Sequence, residues 1–331
     1  MSLPAGAPAS AKKRDLISIL DVAEDLPALL KRASGLRKLR HEGKLPRPLE
    51  GRSLAMIFEK PSTRTRSSFE LAMVELGGHA VYLSTKDMQL GRGETIADTA
   101  RVLSRYYHAV CYRAFRWQDE EELAKWASIP VINALDDREH PCQIVADLQT
   151  LWDRWRGKFE GRQLAYIGDG NNVLRSLMLG SAVVGLNFVA AIPPAYRPEA
   201  AVVEKAKALA QQHGSSVEIV DTPKAAARGS DAIYTDVWVS MGDEAEAAQR
   251  KEAFHGFQVN ELLLGHANEG AFALHDLPAH RGEEITDGVM DGEQQAIWDQ
   301  AENRLHAQKA ILELLVAKAG AKPQARARRS K

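Results

Sequence analysis

Short apolar runs alternate with stretches of helical periodicity along almost the whole chain. Residues 53–58 (SLAMIF) form an unbroken apolar run, which predicts a buried strand. Runs of the same kind predict strands at 80–83, 108–112 and 130–134, and in the second half at 164–167, 188–192, 217–220, 232–235 and 271–274. Between them the spacing turns helical. Leu26, Leu29, Leu30, Ala33 and Leu36 share one face, and helices are predicted at 67–76, 95–104, 117–126 and 143–155. The second half adds a helix ending at Val184, one from Pro198 and a short one after residue 220. A last helix covers about 301–318, with Ala301, Leu305, Leu312 and Leu315 on one face. Alternation of this kind predicts an α/β protein of two domains, each a mainly parallel sheet flanked by helices. Ligands of such sheets sit outside the carboxyl ends of the strands, so the loops after the strands are the place to look for chemistry.

Size and charge narrow the picture. With 331 residues the chain suits two domains, 15–150 and 151–318, joined in or just after the 143–155 helix, near Gly157. Residues 1–14 (MSLPAGAPASAKKR) read as a disordered leader. Residues 319–331, with Lys322, Arg326, Arg328, Arg329 and Lys331, read as a solvated basic tail. Forty-three Lys and Arg against 44 Asp and Glu give no electrostatic case for nucleic acid or an anionic membrane. Cys111 and Cys142 are the chain's two cysteines; they make neither a disulfide framework nor a zinc spacing, so the expected compartment is the cytoplasm. No apolar run has transmembrane length.

The candidate chemistry follows the strands. Ser62-Thr63-Arg64-Thr65 lies between a strand and a helix. Unpaired N–H groups at a helix start favour an anion, and an ordinary cap needs one hydroxyl, not three hydroxyls interleaved with arginines. Arg64 adds a forked partner for phosphate oxygens. His140-Pro141-Cys142-Gln143 occupies the equivalent place after another strand, where His140 can donate to a carbonyl oxygen and Gln143 can bond an amide. Asp169-Gly170-Asn171-Asn172 superficially resembles a dinucleotide turn but lacks the G-x-G-x-x-G spacing, and suits an uncharged or zwitterionic ligand better. Asp236, at a strand end, can hold an ammonium, and Ser240-Met241-Gly242 opens a polar stretch suited to a lid. His275 beside Asp276 suggests acid–base work. Glu302-Asn303-Arg304, taken alone, reads as a helix-surface salt bridge.

Together with Gln89-Leu90-Gly91-Arg92-Gly93-Glu94 and the His275-x-Leu277-Pro278 block, these motifs resemble, in order, those of the ornithine carbamoyltransferases, from about Asp15 to Val316. The resemblance implies a carbamoyl-phosphate domain followed by an ornithine domain, a trimer or multiple of trimers with sites at subunit interfaces, and no metal or organic cofactor. It implies that Ser62, Thr63, Arg64, Thr65, Arg113, His140, Gln143, Leu277 and Arg304 contact carbamoyl phosphate. Gln89 would reach a neighbouring subunit's site, and Asn172, Asp236, Ser240, Met241 and Asp276 would face L-ornithine. Arg64, Thr65, Arg113, His140, Asp236 and Asp276 are the expected catalytic set.

One position departs from the family: Asp276 stands where it has Cys. An ionised carboxylate there favours the protonated acceptor amine and displaces the rate profile to alkaline pH; a proton held between Asp276 and Asp236 would leave the shift small. The same residue keeps open another amine acceptor, such as putrescine or a modified ornithine. A non-catalytic phosphate-ligand-binding relative is the reading from a different class.

Overall fold

The computed structural model describes residues 13–90, 92–240 and 244–317. After a 3-10 turn at Ile19–Val22, the first half runs α1 (Leu26–His41), β1 (Ser53–Phe58), α2 (Arg64–Glu75), β2 (His79–Ser84), α3 (Ile96–Tyr106), β3 (Ala109–Arg113), α4 (Trp117–Trp126), β4 (Val131–Leu135) and α5 (Pro141–Arg154). The second half runs β5 (Gln163–Ile167), α6 (Asn172–Val183), β6 (Asn187–Ala191), α7 (Ala200–Gln212), β7 (Val217–Val220), α8 (Pro223–Ala227), β8 (Ala232–Thr235), α9 (Ala247–Ala253), α10 (Glu261–Leu264), β9 (Phe272–His275), α11 (Asp287–Asp291) and α12 (Ile297–Val316). Two parallel sheets result, β2-β1-β3-β4 and β7-β6-β5-β8-β9, as the alternating pattern predicts.

Strands β1, β3, β5 and β8 are buried almost throughout, which is why they read as continuous apolar runs. Helices α2 and α12 start three or four residues earlier than their periodicity predicts. Thr63 already has helical backbone angles (φ −83°, ψ −55°), so the chain winds from β1 into α2 at Arg64 rather than at 67. Helix α12 starts at Ile297 rather than 301, because polar Gln300 and Asn303 face inward and hide the apolar stripe. The short helices α9, α10 and α11 have too few turns to show a period.

Helix α12 returns from the second sheet to pack on α5, α1 and α2. Its contact with α5 is polar and buried. Gln300 donates to Asp147 (2.7 Å), Gln149 donates to Asn303 (3.0 Å), and Asn303 donates to Thr150 (2.9 Å). These bonds hold the two sheets in a fixed relation, since buried amides left unpaired are costly. Lys13 pairs with Asp15 and Arg14 with Asp25. Residues 1–12 of the expected leader and all of the expected basic tail lie outside the described residues. Among the described residues no helix is long and apolar enough to cross a membrane.

Candidate active site

A cavity of about 750 Å³ lies where the carboxyl ends of the two sheets face one another. Its first wall carries Lys60, Ser62, Thr63, Arg64 and Thr65 from the β1–α2 turn, Arg113 from the end of β3, His140 from the start of α5 and Arg304 from α12. Its second wall carries residues 169–173 after β5, Asp236 and Ser240 after β8, and Asp276, Leu277 and Pro278 after β9.

The first wall is cationic and short of acceptors. Thr63, the cap residue of α2, makes no side-chain capping bond, so the hydroxyl-rich turn is not an ordinary cap. Thr65 is buried and accepts a hydrogen bond from Arg304 Nη2 (2.7 Å). Among the described residues, Arg113 Nε, Arg304 Nε and His140 Nδ1 are buried without a partner. Burial, helped by Arg304 and Arg64 and opposed by Asp276, pulls the Arg113 guanidinium down to about 10. Burial likewise lowers Arg304. Burial, then Arg304, Arg113 and Arg64, pushes His140 well below the ordinary imidazole range, so the ring is neutral and offers an N–H without a charge. Buried cations and a neutral imidazole lining one cavity, with few acceptors to satisfy them, suit an anion and an oxyanion.

The second wall is acidic. Strand register sets Thr235 beside His275, so Asp236 and Asp276 leave neighbouring strands side by side. Asp236 accepts from Asn171 Nδ2 and from the Val237 N–H, both at 2.7 Å. Asn171 also caps α6, accepting from the N–H groups of Val173 and Leu174. Burial, then the charge of Asp236 and a hydrogen bond with it, holds Asp276 well above the usual carboxylate range. Asp169 is paired with Arg250 of α9 at 2.8 Å, which ties the segment after Ser240 to this wall. A wall of this kind suits a ligand bearing an ammonium.

Two family models cover most of the chain: "Aspartate/ornithine carbamoyltransferase, carbamoyl-P binding domain" matches residues 14–153, and "Aspartate/ornithine carbamoyltransferase, Asp/Orn binding domain" matches residues 160–315. The chain belongs to the aspartate/ornithine carbamoyltransferase family. It is 51% identical over 308 residues to an ornithine carbamoyltransferase of Pyrococcus abyssi, covering 93% of this chain and 97% of that one. It is 54% identical over 301 residues to one of Methanosarcina mazei, covering 91% and 98%. The solved ornithine carbamoyltransferase of Pyrococcus furiosus superposes with a TM-score of 0.90 at 50% identity, covering 95% of this chain and all of that one.

In this family member most of the residues expected at the site from sequence share the cavity wall; three do not. Gln143 is buried behind the first wall. Its amide donates to Asp147 (2.7 Å) and accepts from Arg304, so it positions Arg304 rather than facing the cavity. Gln89 is exposed on the loop after β2, away from the wall. Met241 lies outside the described residues. Asn172 lines the cavity while one of its amide N–H groups reaches the Asp136 carbonyl across the cleft (2.6 Å). Arg304 overturns the surface reading of its motif: Glu302 does make surface pairs with Arg37 and His41, but Arg304 points inward. His275 is not placed for acid–base work. Its Nε2 bonds Glu284 (3.0 Å) and its Nδ1 accepts from the Leu277 N–H (2.9 Å).

Residues outside the expected contact set also line the cavity: Asn171, Asp136 and Arg250. Asn171 lay within the Asp169–Asn172 motif and carried a second signal, as an Asn immediately before a helix. Gly170 has its own reason. A β-carbon there would collide with the Tyr196 carbonyl, so the glycine serves close backbone approach rather than a dinucleotide. Among the described residues, two groups could gather ligand atoms within 4.8 Å, namely Asp236, His275 and Asp276, and His280, Glu283 and Glu284. Hydrogen bonds account for the closeness in both, since His275 uses both ring nitrogens and Glu284 Oε1 serves His275 and the His280 N–H.

Proposed function

We propose that the protein transfers the carbamoyl group of carbamoyl phosphate to the side-chain amine of L-ornithine, giving L-citrulline and phosphate. The observation that carries this is the two-sided cavity, with Arg64, Arg113 and Arg304 opposite Asp236, in a chain about half identical to ornithine carbamoyltransferases over nearly its whole length.

Carbamoyl phosphate binds with its phosphate on the start of α2, held by Ser62, Thr63 and Arg64. Thr65, Arg113 and His140 donate to the carbamoyl oxygen as it becomes an oxyanion; the unpartnered nitrogens of Arg113 and His140 support this role. Arg304, held by Gln143 and Thr65, completes the cationic wall. L-Ornithine binds between Asn172, Asp236, Ser240 and Met241, with Leu277 between the two ligands. The ammonium of the acceptor sheds one proton, its nitrogen attacks the carbamoyl carbon, and the second proton leaves with phosphate. A free alkyl ammonium titrates near 10.4, so the site must favour the neutral amine. Positioning two bound reactants supplies much of the acceleration, and the arginines supply the electrostatics without a metal or cofactor.

The domains divide as 15–150 for carbamoyl phosphate and 151–318 for ornithine, with α12 packed back on the first. The working unit is a cytoplasmic trimer or multiple of trimers, with Gln89 reaching the neighbouring site. Exposed Leu71 and Val74 on α2, and Val102 and Tyr106 on α3, supply apolar surface for assembly.

An acceptor panel with carbamoyl phosphate tests the reading. Ornithine is expected to exceed putrescine and N-modified ornithines in kcat/KM by about 100-fold or more, the discrimination of a site built around buried polar groups. Equal or faster turnover of another amine would overturn it, as would no turnover of any.

A further inference from the structure

Asp236 and Asp276 emerge side by side, yet their surroundings differ. Both oxygens of Asp236 accept hydrogen bonds, from Asn171 and from the Val237 N–H. Asp276 Oδ1 is buried with no hydrogen-bond partner among the described residues. The His275 Nδ1 atom lies 3.6 Å away, too far for a hydrogen bond, and it already accepts from the Leu277 N–H. An ionised carboxylate with a buried, unsatisfied oxygen is costly. A neutral carboxylic acid that gives its O–H to a neighbouring carboxylate is not.

We propose that Asp276 acts as a neutral carboxylic acid sharing its proton with Asp236, so that the acceptor amine meets a pair bearing one negative charge. This rests on the proposed transfer to ornithine and makes Asp276 a specificity-determining residue of that site. A singly charged pair holds one side-chain ammonium and still lets it lose its proton. A doubly charged pair would keep the amine protonated and welcome a second cation.

The groups around Asp276 point the same way. Burial raises it most, Asp236 and Asp147 raise it further, and Arg304 opposes them. Arg113, Tyr166 and Tyr234 also lie within its field, and His275 beside it is fixed on Glu284.

The direct test is an infrared difference spectrum at neutral pH, wild type minus Asp276→Asn. The carbonyl band of a protonated carboxyl is expected in the wild type and lost in the variant; no such band overturns the proposal. Asp276→Cys serves the same subtraction if the Asn variant does not fold. Rates supply the second test. Asn keeps the charge of the pair, so kcat/KM for ornithine is expected to fall only about three- to tenfold, with a pH profile parallel to wild type. If Asp276 were ionised, its removal would ease deprotonation of the amine and shift the rising limb toward lower pH, which also overturns the proposal. A wild type that makes no citrulline from ornithine defeats the proposed function itself, while the infrared band still reports whether Asp276 carries its proton.

Discussion

On the first wall of the cavity, Arg113 and Arg304 are buried to 6% and 3% exposure and keep unpartnered donors. On the second, Asp236 is equally buried but fully hydrogen-bonded, and Asp276 carries a proton. The first wall tolerates buried charge and leaves it uncompensated; the second compensates or neutralises it. That difference teaches which side waits for a charged ligand. Uncompensated cations gain most when a dianion arrives. A singly charged acid pair gains enough to hold an ammonium without locking its proton in place.

The comparison breaks most readily at Arg113. Arg113→Gln should lower kcat/KM for carbamoyl phosphate about 1000-fold, as loss of an oxyanion donor does, while the melting temperature holds or rises because an unpaired buried charge is gone. Steady-state kinetics beside calorimetry check both halves. A melting temperature that drops sharply would mean that the cation is already compensated.

Arg304→Lys tests the fork. Lysine cannot bond Thr65 and Gln143 together, so turnover should fall about 30-fold with the charge retained. Rates near wild type would show that charge alone suffices.

Asn171→Ala sharpens the acid side. The cap of α6 and the support of Asp236 go together, so KM for ornithine should rise about tenfold and stability drop by about 1 kcal/mol. Denaturant unfolding and initial rates separate the two losses.

The last effect is on the pH dependence of stability and concerns Asp147, between the walls. Burial raises it to about 6, against the hydrogen bonds from Gln300, Gln143 and Tyr234 that favour its charge. A raised acid favours the fold in its protonated form. That contribution is complete below about pH 4 and is lost as pH rises toward 6, on the order of 3 kcal/mol. The wild type should therefore lose stability across that window relative to Asp147→Asn. Parallel curves would place Asp147 in an ordinary environment.

The central strands were legible because burial on both faces makes them read as apolar runs; 53–58 and 232–235 match the observed bounds, as does 217–220, a partly exposed strand that carries Glu218. The starts of α2 and α12 were not, because Thr65 in α2, and Gln300 and Asn303 in α12, turn polar groups inward and mask the period, whereas α4 begins at Trp117 as its spacing predicts. The phosphate turn could be read from its composition at a strand end. Arg304 was reached only through the family resemblance, not from its local pattern: it is 161 residues from Gln143 and 239 from Thr65, and the return of α12 brings them together. Asp276 was visible as an odd residue in a known motif, but its partner depended on the register of β8 against β9. Gln143 has the side chain for a ligand contact, and only the structure reveals that Arg304 and Asp147 occupy it.

Citrulline formation with both substrates varied, in wild type, Arg113→Gln and Asp236→Asn, with carbamoyl-phosphate binding measured separately by calorimetry, tests the division of the cavity most directly. The account predicts that Arg113→Gln loses carbamoyl-phosphate affinity, whereas Asp236→Asn keeps it within about twofold and loses about 100-fold in kcat/KM for ornithine. Asp236→Asn weakening carbamoyl phosphate as much as Arg113→Gln does would contradict it.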